Sequence, residues 1–196
     1  MKVVAIGGSP RLHGNTNFLI DQVLEELKAR GVVTEKIVLN EYKIGPCQAH
    51  LDCSSFTECK QKDDASWILD KFSEADGLII ASPVYFGSIS AQIKTFMDRS
   101  FFLYMHGRRP RPRCAGLIAI AGRGGADETI KELRKFVRAP DIKVFTLTGY
   151  SGRPDADPKN QAELIKQARE MGRQMAEVLV GENIPLSYRH PRWSLT

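Results

Sequence analysis

Apolar residues along the chain fall into five short runs that alternate with helical patterns. The runs cover residues 2–7, 33–39, 77–82, 115–121 and 142–148. Their length and apolar character predict strands, whereas apolar residues at three- and four-residue spacing between them predict five helices. The run 77–82 shows no polar alternation, as a central strand covered on both faces should. Strands that alternate with helices are typical of an α/β fold with a parallel sheet.

Turn and capping residues set the limits of the first three helices. Gly31 ends the first helix, Asp63 and Asp64 mark the start of the second, and Ser90 can cap the third. The apolar positions that the third helix is expected to bury are Ile93, Phe96, Met97, Phe101 and Tyr104. A fourth helix is expected at about 128–137.

The last helix follows a cap and a helix-starting proline at Asp157-Pro158 and stops at Gly181. Residues 182–196 contain two prolines and no period, which indicates a tail that packs on the surface or on a second subunit. A chain of 196 residues is ample for one core. We therefore predict one domain over residues 1–181 and a C-terminal tail over 182–196.

Polar residues concentrate in the loop GGSPRLHGNTN, which joins the first strand to the first helix. A strand, a polar loop and a helix start in this order point backbone N–H groups and the positive helix end at one spot, which is typical of a phosphate site. The spacing from Gly8 to Gly14 is one residue too long for a GxxxxGK[ST] loop, and no Lys follows Gly14. A GxGxxG dinucleotide fingerprint is also absent from the sequence.

The expected strand order also predicts a ligand-binding site beside this loop. Right-handed crossovers leave few arrangements of five parallel strands, and the order 2-1-3-4-5 is the common one. In this order the topological switch point, where the chain begins to add strands in the opposite direction, lies between strands 1 and 3. The two richest loops, 9–17 and 83–88, leave the carboxyl ends of those two strands, so we expect them to form one binding crevice.

Charge and hydropathy exclude some classes of function. The net charge of +5 is too modest to indicate nucleic-acid binding by itself. No apolar run is long enough to span a bilayer, and the start of the chain lacks the apolar core of a signal peptide. We therefore expect a cytoplasmic protein without a membrane or nucleic-acid partner.

Three stretches together resemble the NAD(P)H-dependent FMN reductase and iron–sulfur flavoprotein group of flavodoxin-like proteins: GGSPRLHGNTN, SPVYFGSISAQIKTFMDR and GRGGADET. The resemblance covers about residues 1–150. It implies bound FMN, a flavodoxin-like three-layer sandwich, and dimers or dimers of dimers. It also suggests NAD(P)H as electron donor, with quinones, flavins or other small oxidants as acceptors.

The resemblance assigns roles to three loops. The residues that match the loop around the FMN phosphate are Ser9, Arg11, Asn15, Thr16 and Asn17. The residues that match the loop along the isoalloxazine ring are Pro83, Val84, Tyr85, Phe86, Gly87 and Ser88. The residues that match a third loop beside the ring are Gly122, Arg123, Gly124 and Gly125. No side chain is assigned as an acid, base or nucleophile, because electron transfer is the chemistry of the cofactor.

The cysteines are unevenly placed, with three in the irregular segment 40–62 and Cys114 alone before a strand, where it is expected to be a core residue. A cluster of thiols in a cytosolic chain suggests metal or redox chemistry. Iron–sulfur flavoproteins hold a [4Fe-4S] cluster with four cysteines, whereas this chain has Cys47, His50, Cys53 and Cys59 in that frame. A cluster with a His ligand, a lost cluster with leftover thiols, and a Cys3His zinc site all remain open.

These patterns predict an FMN-dependent oxidoreductase that passes electrons from NAD(P)H to a small-molecule acceptor. One alternative is an iron–sulfur flavoprotein that exchanges electrons with a ferredoxin-like protein, and another is a non-catalytic FMN-binding protein.

The segment GRRPRPR at 107–113 carries four arginines. It is interpreted as a solvated connection, with a landing site for the NADPH 2′-phosphate or for an acidic redox partner as the alternative.

Overall fold

The five predicted strands form one parallel sheet. In the computed structural model, which describes residues 1–138, 141–151 and 157–181, the strands are β1 Lys2–Gly7, β2 Val33–Val38, β3 Gly77–Pro83, β4 Cys114–Ala121 and β5 Lys143–Tyr150. Their order is β2-β1-β3-β4-β5, and each neighbouring pair runs parallel. The predicted 2-1-3-4-5 order is therefore confirmed, and β1 has the predicted limits.

Helices cover both faces of this sheet. They are α1 Asn15–Ala29, α2 Ala65–Ser73, α3 Ala91–Arg99, α4 Phe101–Met105, α5 Ala126–Phe136 and α6 Ala162–Val180. Apolar residues of α1 and α6 pack on one face of the sheet, and those of α2, α3 and α5 pack on the other. The result is a three-layer sandwich, because strands buried on both faces need apolar cover from two sides.

The third predicted helix is broken into α3 and α4 at Ser100, whose hydroxyl donates to the Met97 carbonyl at 2.6 Å. The break changes the helical phase, so α4 buries Phe102 and Leu103 instead of the positions expected from one continuous helix. Phe101 and Tyr104, expected in the core, are 54% and 50% exposed. The prediction that they are core residues was wrong for this reason.

The predicted helix limits are largely confirmed. The Ser90 hydroxyl accepts a bond from the Ile93 N–H and caps α3, and Gly31 follows α1 at a φ of 76°. Asp157 caps a short 3-10 turn, Pro158–Asn160, instead of α6 itself. The tail at 182–196 lies outside the described residues. No helix in the described ranges is long and apolar enough to cross a membrane.

Cys114 is fully buried at the start of β4. Burial raises the pKa of its thiol to about 12, so at neutral pH it stays protonated and unreactive. This confirms the prediction that Cys114 is a small core residue.

Candidate functional site

Three loops meet at the carboxyl edge of the sheet. They follow β1, β3 and β4 at residues 8–14, 84–90 and 122–125. Because β1 lies between β2 and β3 in the sheet, the first two loops leave the sheet at the point where the strand order reverses. This is the crevice in which open α/β sheets bind their ligands.

The first loop ends in an open helix N-terminus. Gly14 precedes α1 without a side-chain cap, and the first turn carries no acidic residue. The N–H groups at the start of α1 are therefore available to an anion, as at other helix N-terminal anion sites. Ser9 and Thr16 are buried beside this start, and the exposed Arg11 stands at its rim. This donor set fits a phosphate dianion.

The Asn17 side chain stabilises the first loop through two hydrogen bonds to its backbone. Its side-chain amide donates to the carbonyls of Arg11 at 2.9 Å and Leu12 at 3.1 Å, and the residue is 1% exposed. The Ser9 hydroxyl accepts from the Arg11 N–H at 3.2 Å and tightens the same turn. The resemblance groups Asn17 with the phosphate contacts, and in the structure its side-chain amide N–H groups bond within the loop.

The first two loops are joined through Ser90. Its hydroxyl donates to the Gly8 carbonyl at 2.8 Å, while the Gly8 N–H donates to the Ala81 carbonyl at 2.8 Å. A Cβ at Gly8 would lie 2.2 Å from Cγ1 of Ile93, so only glycine lets β1 approach the start of α3 this closely. Sequence reasoning gave Ser90 a capping role alone, and nothing local in the sequence indicated its bond to Gly8.

The second loop is a tight turn with one fully exposed aromatic ring. Tyr85 and Ser88 exchange backbone hydrogen bonds of 3.0 and 3.1 Å. Between them Phe86 and Gly87 have φ values of 53° and 77°, the pattern of a type I′ turn. The Ser88 hydroxyl donates to a Glu132 carboxylate oxygen at 2.9 Å and anchors the turn on α5.

The third loop contacts the second. Gly125 has a φ of 87°, and a Cβ there would lie 2.9 Å from the Gly87 Cα. A Cβ at Gly122 or Gly124 would meet no heavy atom within 4 Å, so this part of the loop faces open space. The three loops thus form one crevice, with anion donors at one end and flat, glycine-rich backbone at the other.

The cysteine loop, residues 45–63, lies elsewhere. Its Cys47, His50, Cys53 and Cys59 all line a cavity of about 790 Å3, which we call the amino-end cavity. Burial, followed by the neighbouring thiols of Cys59 and Cys47, raises the pKa of Cys53. Within the described ranges no three His, Cys, Asp or Glu side chains are grouped closely enough to hold a metal ion. The four predicted ligands therefore share a cavity without converging on one point, which does not fit a cluster or a zinc ion.

A buried ion pair closes the base of the cysteine loop. The Arg99 side chain, 1% exposed, donates to Asp63 Oδ2 at 2.5 Å and Oδ1 at 3.0 Å. It also donates to the Gly45 carbonyl at 2.9 Å and to Cys59 Sγ at 3.4 Å. Burial would raise the pKa of Asp63, but hydrogen bonds from Arg99 and from backbone N–H groups lower it below its usual range. The loop is thus fastened to the end of α3.

The arginine-rich segment 107–113 lies at the opposite edge of the sheet from the three loops, directly before β4. Arg108 pairs with Asp70 at 2.8 Å, and Arg113 donates to the Leu179 carbonyl at 3.0 Å. The guanidinium of Arg109 lies 3.3 Å from the ring centroid of Tyr104. The segment is more than a solvated connection, and within one chain its position does not support a cofactor-phosphate contact.

Comparison with known proteins agrees with this geometry. Residues 1–154 match the family model described as NADPH-dependent FMN reductase. An iron-sulfur flavoprotein of Methanocaldococcus jannaschii is 36% identical over 190 residues, covering 91% of this chain and 97% of that protein. One of Archaeoglobus fulgidus is 34% identical over 181 residues, covering 90% and 80%.

Solved structures show the same fold at low identity. The NAD(P)H:quinone oxidoreductase from Methanothermobacter marburgensis has a TM-score of 0.69 at 17% identity, covering 89% of this chain and 96% of that chain. A flavodoxin from the domain Archaea has a TM-score of 0.55 at 14% identity, covering 90% and 97%. These likenesses confirm the flavodoxin-like fold.

Gly8→Ala should lower the free energy of unfolding, because it disturbs the contact between the first two loops. Its Cβ would overlap Ile93, and overpacking of this kind costs about 1–3 kcal/mol of unfolding free energy. Gly122→Ala, with open space around the new Cβ, is the matched control and should change stability by less than about 0.5 kcal/mol. Urea denaturation measures both. Equal stability of the two variants would contradict the close packing of Gly8 against Ile93.

Asp63→Asn should destabilise the chain by about 3–5 kcal/mol, because it leaves a buried guanidinium without its counter-charge. The exposed pair Arg108–Asp70 supplies the control, since Asp70→Asn should cost at most about 1 kcal/mol.

The pKa of Asp63 is lower in the folded than in the unfolded chain. Its stabilising effect is therefore present above the ordinary carboxyl pKa of about 4 and is lost as pH falls through the folded value. Denaturation from pH 7 to pH 3 should show this loss in wild type and a smaller one in Asp63→Asn.

Proposed function

This chain belongs to the NADPH-dependent FMN reductase family, and from that premise we propose which residues hold the flavin and what the protein reduces. As a member of the family it is an NAD(P)H-dependent FMN oxidoreductase. The finer statements, on site residues, electron acceptor, assembly and location, are our proposals. They are supported by the geometry of the crevice.

The proposed phosphate site rests on the N-terminus of α1, which has no side-chain cap. Ser9, Arg11, Asn15 and Thr16 would hold the FMN phosphate with the first backbone N–H groups of the helix. Two of these side chains, Ser9 and Thr16, are buried at the loop, and the Ser9 hydroxyl, which bonds the Arg11 backbone, would turn towards the phosphate when it is bound. Asn17 would keep the loop in shape through its bonds to the Arg11 and Leu12 carbonyls.

The second and third loops would hold the flavin ring. The main chain of 83–88 and of 122–124 offers close approach to a flat ring, because Gly87, Gly122 and Gly124 present no side chain. Val84, Tyr85 and Phe86 supply apolar contact beside it. Arg123, exposed on the third loop, would stabilise negative charge on the ring.

Bound FMN supplies the two-electron chemistry that links NAD(P)H to an acceptor, and the protein binds and orients the reactants. We propose a small, flat acceptor such as a quinone or a flavin. Related folds include proteins described as a flavone reductase, an azoreductase and a quinone oxidoreductase. The open side of the third loop leaves room for such a molecule over the crevice.

A second candidate function is electron transfer through an iron–sulfur cluster to a ferredoxin-like protein. The relatives named iron-sulfur flavoproteins favour it, whereas the spread of Cys47, His50, Cys53 and Cys59 in the described structure does not. We therefore place it second.

We also propose a homo-oligomer, a dimer or a tetramer, in the cytoplasm. The fully exposed Phe86 would be covered by a second subunit. The four cysteines are free thiols, in keeping with a reducing compartment.

Arg11→Ala should weaken FMN binding roughly tenfold, because a hydrogen bond to a charged group contributes about 1.5–3 kcal/mol. Thr16→Ala should weaken it several-fold by the same reasoning, with the fold retained. Arg30→Ala, on an exposed arginine at the far end of α1, is the control and should leave the affinity unchanged. Calorimetric titration of apoprotein with FMN measures all three. Unchanged affinity in Arg11→Ala and Thr16→Ala would place the phosphate elsewhere.

Protein purified without oxygen should show flavin absorption bands alone, with no stoichiometric iron or acid-labile sulfide. His50→Cys, which completes the four-cysteine frame, should gain iron on reconstitution, since four-cysteine ligation is the rule for such clusters. Gln48→Cys, at an exposed position of the same loop but outside the frame, is the control. A cluster in the wild-type protein would establish the second candidate, and absence of FMN binding would overturn the first.

A further inference from the structure

Two sequence features that the flavin site does not use meet at the amino-end cavity. The cysteine loop forms one wall, and Arg109 and Pro112 of the arginine-rich segment form another. Leu78, near the start of β3, also lines the cavity, which places it toward the amino edge of the sheet. None of the residues proposed to bind FMN lines it. The cavity and the crevice are therefore lined by different residues.

The floor of this cavity is apolar and aromatic. Phe72, Met97, Phe102, Leu103 and Phe136 all line it. The rings of Phe72 and Phe136 are stacked with centroids 5.6 Å apart, so they present a fixed apolar surface. A volume of about 790 Å3 lies within the range that holds drug-sized ligands.

The rim of the cavity is cationic. Arg109, Lys135 and Arg138 line it and are exposed. No carboxylate in the described parts of the chain lies within ion-pair distance of any of the three. Asp98, the acidic residue that also lines the cavity, is paired with Lys94 at 2.6 Å. Among the described lining residues, the charge that has no partner of opposite sign is thus positive.

We propose that the amino-end cavity binds a small amphipathic anion, with an apolar aromatic or aliphatic body on the floor and an acidic group between Lys135 and Arg138. The apolar body would gain by leaving water, and the acidic group would gain charge-assisted hydrogen bonds at the rim. Charge complementarity commits the site to an anion. The buried position of Phe72 and Leu78 at the cavity commits it to a small molecule, since a flat protein face does not reach them.

Anilinonaphthalene sulfonate and its neutral analogue N-phenylnaphthylamine test this with the FMN-loaded full chain. The two probes share their rings and differ in the acidic group. We expect the sulfonate to bind at least about tenfold more tightly, as one charged hydrogen bond allows. Lys135→Gln with Arg138→Gln should remove this advantage and leave the neutral probe unaffected. Lys131→Gln, exposed on α5 and outside the cavity lining, is the matched control and should bind like wild type.

Met105→Trp, at a half-exposed lining position, should narrow the cavity and weaken both probes. Equal affinity of the two probes, or no effect of Lys135→Gln with Arg138→Gln, would overturn the proposal. Release of FMN by the probe would place the probe in the crevice and overturn it too. Absence of binding would also overturn it. Light scattering and iron analysis of the same sample would then show whether a second subunit or a metal occupies the space.

Discussion

The close approach of β1 to the start of α3 is the constraint on which the candidate site depends. Gly8 leaves no room for a side chain against Ile93, and the carbonyl of Gly8 accepts the Ser90 hydroxyl hydrogen bond. One hydroxyl therefore caps α3 and fixes the first loop to the second. Because buried polar groups are costly when unpaired, this bond has few alternatives, and the two loops keep one relative position.

The other end of α3 fastens the cysteine loop. Arg99 is the last residue of α3, and its buried guanidinium is compensated by Asp63 and by the Gly45 carbonyl. A nine-residue helix thus connects the candidate crevice, through the Ser90 cap that precedes it, to the cysteine loop at its last residue. Leu51, in the middle of that loop, is fully exposed, whereas further along the loop the Phe56 carbonyl is bonded to the His106 ring at 2.7 Å.

Sequence reasoning succeeded where periodicity and burial agree. The limits of β1, the strand order and the crevice follow from apolar runs and crossover handedness. It failed where one local bond decides the outcome: the hydroxyl of Ser100 marks a break that exposes Phe101 and Tyr104. Spacing also cannot tell which way a side chain points. The frame of Cys47 to Cys59 therefore left a cluster, a zinc site and leftover thiols open, and no three potential ligands are grouped for a metal ion in the described residues.

Helix dipoles explain part of the charge distribution between the two edges of the sheet. In a parallel α/β fold the helix N-termini gather at the carboxyl edge and attract anions, while C-termini gather at the amino edge and favour cations. Lys135, in the last turn of α5, and Arg99, in the last turn of α3, follow this rule. Arg138 directly follows Val137, the C-cap of α5, whereas Arg109 lies outside any helix and stacks on the ring of Tyr104. Neither contact provides a carboxylate among the described residues, and an acidic ligand would supply one.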